Sequence, residues 1–300
     1  MVIARTSRSA SFIFQSSAKA PRKEFCLRFV DKALARRLES AEEFPQVEYA
    51  RLYGDLRPEI GAAFEPICGG HMIFAGLNSP IGRAVGMGFD GPVQESDLER
   101  LEAFYRSHNA PAQLDICPLS DPSLLELVKA RGYGIAELNN VLYRTLENLE
   151  AFSPSPEIKI LPGRPEEALQ FSQIVTRSFF ENGNEPAGFA EMLAPMFQCE
   201  RTVTFFAQVG QIPVAAAAGM MIPEHGTFAL FGAGTLPEFR GRGLQTTLLK
   251  TRLQAAADAG CELAVVVTNG GSASQRNCLR LGFQVAYSKA TVLRNVQEQG

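Results

Sequence analysis

Length, composition and charge set the first limits on this chain. Its 300 residues are 46% hydrophobic, which is enough for two ordinary domains that each bury a core. The 29 basic and 32 acidic residues give a formal net charge of −3 without long runs of either sign, so nucleic acid is not an expected partner. The apolar run from Val214 to Ile222 is far shorter than the roughly 20 residues that span a bilayer, so no membrane segment is expected.

The cysteines and histidines indicate a reduced protein without a metal site. The six cysteines are scattered without a Cys-x-x-Cys pair, and several lie in apolar runs. Isolated, mostly buried thiols suit a cytoplasmic protein. The histidines, His71, His108 and His225, stand far apart in the sequence, so zinc has little to bind. We therefore expect a cytoplasmic location and no metal.

Residues 1–23 differ from the rest of the chain. Five basic residues lie there among serines, and no acidic residue precedes Glu24. An organelle-targeting leader, a start-codon extension and a disordered arm would all have this composition. We favour the disordered arm, and we place the first folded domain at residues 24–150.

The first domain alternates helical and strand-like segments. Its expected elements are a weak helix near 34–41, extended segments 72–77 and 81–89, a helix from residue 96, a strand 113–117, a helix 121–132 and a strand 139–146. The two extended segments flank Asn78-Ser79-Pro80, a turn sequence, so they are expected to pair as a hairpin.

A linker is predicted at residues 151–156, because Ser153-Pro154-Ser155-Pro156 is polar and punctuated by proline. The second domain then covers residues 157–300. Its expected elements are a strand 157–161, helices 166–180 and 188–197, strands 201–208, 212–221 and 228–236, a helix 243–260, a strand 263–267, a helix 272–281 and a strand 283–293.

An internal repeat links the two domains. Segments 130–144 and 280–294 align without gaps, and Gly132 then pairs with Gly282 at an offset of 282 − 132 = 150 residues. Both copies read as a helix end, a glycine followed by an aromatic residue, and a strand. We interpret the repeat as a duplicated domain, with chance similarity as the alternative.

The most informative stretch is a strand, a basic turn and a helix over residues 228–260. Gly241 and Gly243 open the helix, and Gly260 closes it. The glycines let backbone amides approach a ligand, and the free amides and the dipole of a helix start favour a phosphate group. A Walker loop is excluded because no Gly-Lys-Ser/Thr follows. A dinucleotide loop is disfavoured because its third glycine is replaced by Thr246 and no acid ends the next strand.

In these residues the chain resembles the GNAT acyltransferase superfamily, whose acyl-CoA loop has the pattern Gln/Arg-x-x-Gly-x-Gly/Ala. Arg240, Gly243 and Gln245 occupy the three positions, and the glutamine departs from the small residue usual at the last. The resemblance covers residues 157–295 and extends faintly over 24–146. It implies an α+β protein of two GNAT-like domains, each a mixed, mainly antiparallel twisted sheet flanked by helices, with the first domain degenerate.

The resemblance also implies an acetyl-CoA site between splayed parallel strands, 228–236 and 263–267. The implied contacts with pantetheine are the backbone groups of Thr235 and Leu236, and Ser274 and Asn277 would lie beside the pantetheine arm. The implied contacts with pyrophosphate are Arg240, Gly241, Arg242, Gly243, Leu244, Gln245 and Thr246. Plain surface polarity is the alternative for the last two. Gly232 and Gly234 indicate a bulge or close ligand approach, or ordinary packing.

The implied chemistry is direct attack of an amine on a thioester carbonyl. Counting back from the Leu281-Gly282-Phe283 corner, the position that commonly holds a tyrosine acid in this family is Cys278, which departs from the pattern. Its thiol could donate a proton to a thiolate, but we favour a buried packing role. Tyr287 is the second catalytic candidate, with a strand aromatic as the alternative. Glu181 could hold an amine or be a solvated helix-end acid.

These observations predict an acyl-CoA-dependent N-acyltransferase that transfers acetyl from acetyl-CoA to the amine of a small molecule or peptide. The alternative is a non-enzymatic acyl-CoA-binding regulatory protein, because no acid or base stands out in the sequence. In the first domain, Gly86-Met87-Gly88-Phe89 runs into Asp90-Gly91-Pro92 where amide donors would be needed. We therefore expect one acyl-CoA per chain.

Overall fold

The computed structural model describes residues 29–77, 79–180 and 183–295. The predicted arm at residues 1–23 and the candidate Glu181 lie outside these ranges. Over the described residues, no helix combines the length and the hydropathy that a membrane span requires.

The first half of the chain contains three helices and four strands in the described ranges. They are α1 (Lys32–Leu56), β1 (Ala63–Ile67), β2 (Gly70–Phe74), α2 (Glu95–Ser107), β3 (Ala112–Ile116), α3 (Pro122–Ala130) and β4 (Gly134–Thr145). The second half contains β5 (Ile158–Pro162), α4 (Ala168–Phe179), α5 (Phe189–Leu193), β6 (Thr202–Val209), β7 (Ile212–Ile222), β8 (Thr227–Thr235), α6 (Leu244–Asp258), β9 (Leu263–Asn269), α7 (Ala273–Arg280) and β10 (Gln284–Arg294).

Strands from both halves form one eight-stranded sheet in the order β3-β10-β4-β9-β8-β7-β6-β5, and β1 and β2 form a separate hairpin. Within the sheet, β8 and β9 are parallel, and the other described neighbours are antiparallel. The fold-class prediction, a mixed and mainly antiparallel sheet flanked by helices, is confirmed. The structure adds that the two halves share this sheet.

The central strands are covered on both faces. Ala229 of β8 packs with α1, whereas its neighbours Phe228 and Leu230 pack with α6. This alternation follows from the two-residue period of a strand. Helix α1 therefore extends the core of the first half across strands of the second.

The last strands of the two halves are exchanged. In the sequence repeat β4 corresponds to β10, and Gly132 and Gly282 precede these strands with the same left-handed φ, 72° and 82°. In the sheet, β4 lies between β9 and β10, both from the second half, and β10 lies between β3 and β4, both from the first. Each half therefore depends on the other to complete its sheet.

The hairpin predicted across Asn78-Ser79-Pro80 is present only as one antiparallel bridge, in which the backbone amides of His71 and Val85 each donate to the other residue's carbonyl at 3.0 Å. A regular hairpin joins β1 and β2 around Cys68 and Gly69, and Ala84 makes a single parallel bridge to Leu114. Gly86 and Gly88 have φ of 74° and 81°, a conformation that interrupts a regular strand. The parallel bridge between Ala84 and Leu114 is the counterpart of the β8–β9 pairing.

The exchange predicts that the halves do not separate when the chain is cut. Residues 153–156 are exposed, so a protease site can be engineered there. After cleavage we expect both fragments to elute together in gel filtration, because each contributes a strand flanked by strands of the other. Residues 157–300 produced alone should lack a cooperative unfolding transition. Two separately folded fragments would contradict the exchanged sheet.

Candidate functional site

A cleft opens where β8 and β9 diverge. The strands pair from Thr227–Leu263 to Leu230–Val266, and their later residues no longer hydrogen-bond each other. Just beyond this point β8 has a bulge against β7, because the register shifts between the Ala218–Phe231 and Ala216–Gly234 pairs. A bulge bends a strand and increases its twist. The pairing therefore stops and the strands splay.

The cleft between the splayed strands has a volume of about 850 Å³. Most of the predicted site residues line it: the binding residues Thr235, Arg240, Gly241, Gly243, Leu244, Gln245, Thr246, Ser274 and Asn277, and the catalytic candidate Cys278. Leu236, Arg242 and Tyr287 are not among its lining residues. Arg240, Arg252 and Arg280 also line it, and none of its described lining residues is acidic. The charge of the cleft therefore suits an anionic ligand.

The turn before α6 presents unpartnered amides to this cleft. Gly241 and Gly243 have φ of 76° and 79°, and Gly243 is an N-cap without a side-chain hydrogen bond. Among the described residues, none accepts a hydrogen bond from the amides of residues 241–246. A Cβ atom at either glycine would meet nothing within 4 Å, so the turn opens into free space. Such a helix start attracts anions.

Two side chains hold this turn in place. The Arg240 guanidinium donates to the Ser178 carbonyl at 2.7 Å and to the Thr235 carbonyl at 3.3 Å. Gln245 Nε2 donates to Thr235 Oγ1 at 2.8 Å. These contacts fasten the turn to β8 and to the end of α4. Arg242 is exposed, with its guanidinium 5.1 Å from the centre of the Phe239 ring.

The backbone groups of Thr235 and Leu236 point in different directions. The Leu236 amide donates to Val214 on β7 at 2.9 Å, and its carbonyl accepts from Phe239. Successive residues of a strand direct their backbone groups to opposite sides, so Thr235 faces the side of β9. Its amide is therefore directed toward the cleft. The structure corrects the expectation for Leu236, whose amide is occupied in the sheet.

The two glycines of β8 lie close to other side chains. A Cβ at Gly232, whose φ is 53°, would lie 2.5 Å from the Phe197 ring, and one at Gly234 would lie 2.1 Å from Ser178 Oγ. Gly232 thus forms the bulge, and both glycines permit close packing beside the cleft.

Helix α7 supplies the opposite wall. Ser272 caps it by accepting a hydrogen bond from the Gln275 amide at 3.1 Å. Ser274 is exposed, Asn277 is half-buried, and Cys278 is buried. Burial raises the pKa of the Cys278 thiol to about 11, and the nearby Arg252 charge offsets only part of this rise. The thiol is therefore protonated at neutral pH.

Sequence reasoning missed Arg252 and Thr268, which also line the cleft. Arg252 has 4% of its surface exposed, and Thr268 has 6%. Thr268 Oγ1 has no hydrogen-bond partner among the described residues. The spacing of Arg252 from Leu248 and Leu249 could have revealed it, because i, i+3 and i, i+4 positions share the buried face of a helix.

The structure also corrects the expectation for Tyr287. Its hydroxyl donates to Glu39 on α1 at 2.7 Å, and burial and the Glu39 charge raise its pKa far above the usual range. Nearby, Lys289 Nζ lies 3.2 Å from Glu39 and 3.0 Å from Asp115. The exchange moves β10 beyond β4, away from β9. Tyr287 therefore belongs to a buried charge cluster of the first half.

Comparisons with known proteins agree with this geometry. Residues 168–283 match the profile of the Acetyltransferase (GNAT) family. Residues 168–283 form a GNAT domain. No curated protein matches the chain.

Three solved structures, two of them of GNAT proteins, have the same fold. A GCN5-related N-acetyltransferase from Kribbella flavida has a TM-score of 0.58 at 17% identity, over 81% of this chain and 94% of that one. A conserved protein of unknown function from Staphylococcus epidermidis has a TM-score of 0.55 at 15% identity, over 79% and 95%. A tandem GNAT protein of the clavulanic acid biosynthesis pathway has a TM-score of 0.53 at 11% identity, over 68% of this chain and 70% of that one. At these identities the likeness shows the fold, and it fits a tandem arrangement.

The position of Tyr287 generates a stability prediction. Tyr287→Phe should lower the free energy of unfolding by about 1–3 kcal/mol, because the buried Glu39 loses a hydrogen-bond donor. Chemical denaturation measures this change. Tyr53→Phe is a matched control, since Tyr53 is buried but its hydroxyl donates no hydrogen bond among the described residues. An equal effect of both substitutions would contradict the assigned role of the hydroxyl.

Proposed function

We propose that the chain is an acyl-CoA-dependent N-acyltransferase that transfers acetyl from acetyl-CoA to the amine of a small molecule or peptide. One observation carries the proposal. The unpartnered amides of residues 241–246 open into a cleft between splayed parallel strands, within the segment that matches the GNAT family.

The residues of the cleft fit such a donor. The amides of residues 241–246 suit the pyrophosphate group, and the amide of Thr235 suits pantetheine. Each hydrogen bond to a charged phosphate contributes about 1.5–3 kcal/mol. Three such bonds would provide a large part of the roughly 8 kcal/mol that corresponds to micromolar binding. Ser274 and Asn277 are proposed to contact the pantetheine arm from α7, and Arg240 and Arg242 to add positive charge near the phosphates.

The reaction forms an amide bond and breaks the carbon–sulfur bond. The donor supplies an activated thioester carbonyl, so the chain need not create a covalent nucleophile. Its contribution is to align the carbonyl with the amine, which can supply much of the rate of such a reaction. The amine must also lose a proton. Phe179, which lines the cleft at the end of α4, is proposed to help bind the acceptor.

The first half is proposed to bind no second acyl-CoA. Helix α2 is the counterpart of α6, but its start is satisfied by its own side chains. Gln94 and Asp97 form a capping box, in which the backbone N–H of Gln94 donates to Asp97 Oδ2 at 2.8 Å. Glu95 and Asp97 also place negative charge in the first turn, which repels a phosphate group. The first half instead contributes β4, which lies beside β9 at the cleft.

The five described cysteines are free thiols. This finding supports the proposal of a cytoplasmic location, where thiols stay reduced.

The proposed function is tested by incubating the full chain with acetyl-CoA and a panel of small amines and peptides. Release of free CoA thiol that depends on both reactants is the expected result. Calorimetry with acetyl-CoA should give one equivalent per chain. Tight binding without thiol release would favour the non-enzymatic regulatory protein, and absence of binding would refute both functions.

The open turn generates a prediction for Gly243. Gly243→Ala should weaken acetyl-CoA binding at least about tenfold in calorimetry, because the new methyl group occupies the space beside the amides. Gly260→Ala is the matched control, since Gly260 has a φ of 81° and equally open surroundings at the other end of α6. Both should lose about 1–2 kcal/mol of stability through backbone strain. Equal affinities of the two variants would end the phosphate-site interpretation.

Burial of the Cys278 thiol generates a further prediction. Cys278→Ala should lower turnover less than about tenfold, whereas loss of a general acid typically costs 10²-fold or more. The buried Cys261 gives a control substitution outside the cleft, Cys261→Ala. Initial rates at saturating acetyl-CoA measure both variants. A 10²-fold loss in Cys278→Ala alone would show that the thiol acts as the acid.

A further inference from the structure

Arg252 is a buried cation at the cleft that has no carboxylate partner. It projects from α6, has 4% of its surface exposed, and lines the same cavity as Cys278 and Thr268. Its guanidinium donates to the Ala218 carbonyl at 2.8 Å and to the Leu248 carbonyl at 3.3 Å. Among the described residues, no Asp or Glu lies within salt-bridge distance of it.

A buried charge without a counter-charge is costly, so its retention calls for an explanation. The two hydrogen bonds that it donates to carbonyl groups do not require a positive charge, because a neutral side-chain amide could also donate to the Ala218 carbonyl. The positive charge is useful if negative charge arrives in the cleft during function. Thr268, on β9, also lines the cleft, and its buried Oγ1 has no hydrogen-bond partner among the described residues.

We propose that Arg252 stabilises the thiolate that leaves when the acyl group is transferred. The inference rests on the proposed function. The amine nitrogen forms a bond to the acyl carbon, and the carbon–sulfur bond breaks with its electron pair moving to sulfur. The amine proton passes to solvent. A fixed cation in a low-dielectric cleft lowers the energy of the sulfur anion without a proton transfer.

Proton donation by Cys278 is the alternative, and the surroundings of its thiol disfavour it. Burial keeps the pKa of Cys278 at about 11, whereas an ordinary thiol titrates near 8.5. Donation to a leaving thiolate would therefore be uphill. Burial lowers the pKa of Arg252 to about 10, so the guanidinium keeps most of its charge over the pH range used below. The neighbouring titratable group, Cys278, stays protonated over that range.

The test compares the affinities of CoA and desulfo-CoA, in which hydrogen replaces the thiol group. Both ligands carry the same phosphates, so their affinity ratio reports the thiol alone. If Arg252 favours the thiolate, the pKa of the bound thiol is lower than that of the free one. Affinity for CoA then rises with pH from the bound pKa up to the free pKa. Between about pH 6.5 and about pH 9.5 we expect the ratio to rise about tenfold, which corresponds to one pKa unit.

Three variants separate the charge of Arg252 from its packing. Arg252→Gln keeps a donor for the Ala218 carbonyl but removes the charge, so its ratio should change less than about threefold over this range. Arg252→Lys keeps the charge and should retain part of the rise. Arg276→Gln removes an exposed cation of α7 that does not line the cleft, so its ratio should rise with pH as in wild type.

The outcomes are distinct. A ratio independent of pH in the wild-type protein would overturn the inference while leaving acyl-CoA binding established, whichever variants fold. The same rise in Arg252→Gln as in wild type would also overturn it. Failure of wild type to bind either ligand would instead refute the proposed function.

Discussion

The site depends on where one pair of strands stops pairing. Strands β8 and β9 hydrogen-bond as far as Leu230 and Val266, and the bulge at Gly232 turns β8 away. If the pairing continued, β9 would occupy the gap that the Thr235 amide faces. The cleft and its helix start follow from this divergence, because it leaves space between α6 and α7 and directs the start of α6 into that space.

The second half could be predicted from its sequence because its local signals agree with its fold. Gly241 and Gly243 predict the open helix start, and the apolar run from Leu263 predicts a strand that is covered on both faces. The first half was harder to predict because several of its buried residues are charged. Helix α1 buries Glu39 and Glu43, so its apolar period is weak, and the partners Lys289 and His71 are distant in sequence.

The misassigned residues have a common physical cause. Tyr287 lies away from the cleft because β4 and β10 change places in the sheet, and no local sequence pattern predicts this exchange. Arg252 was overlooked because a single arginine within an apolar helix face resembles a surface residue in sequence. Its spacing from Leu248 and Leu249 indicates the buried face of α6, and the structure shows that β7 and β8 cover this face.

The exchanged strands also determine the order in which the chain can fold during synthesis. Thr145 of β4 pairs with Leu263, so their separation is 263 − 145 = 118 residues. When β4 leaves the ribosome, neither of its neighbouring strands has been made, so both of its edges stay unpaired until β9 and β10 follow. Contacts over such distances are slow to form and leave strand edges open to association with other chains. The partly synthesised chain therefore exposes both edges of β4, which the finished sheet covers.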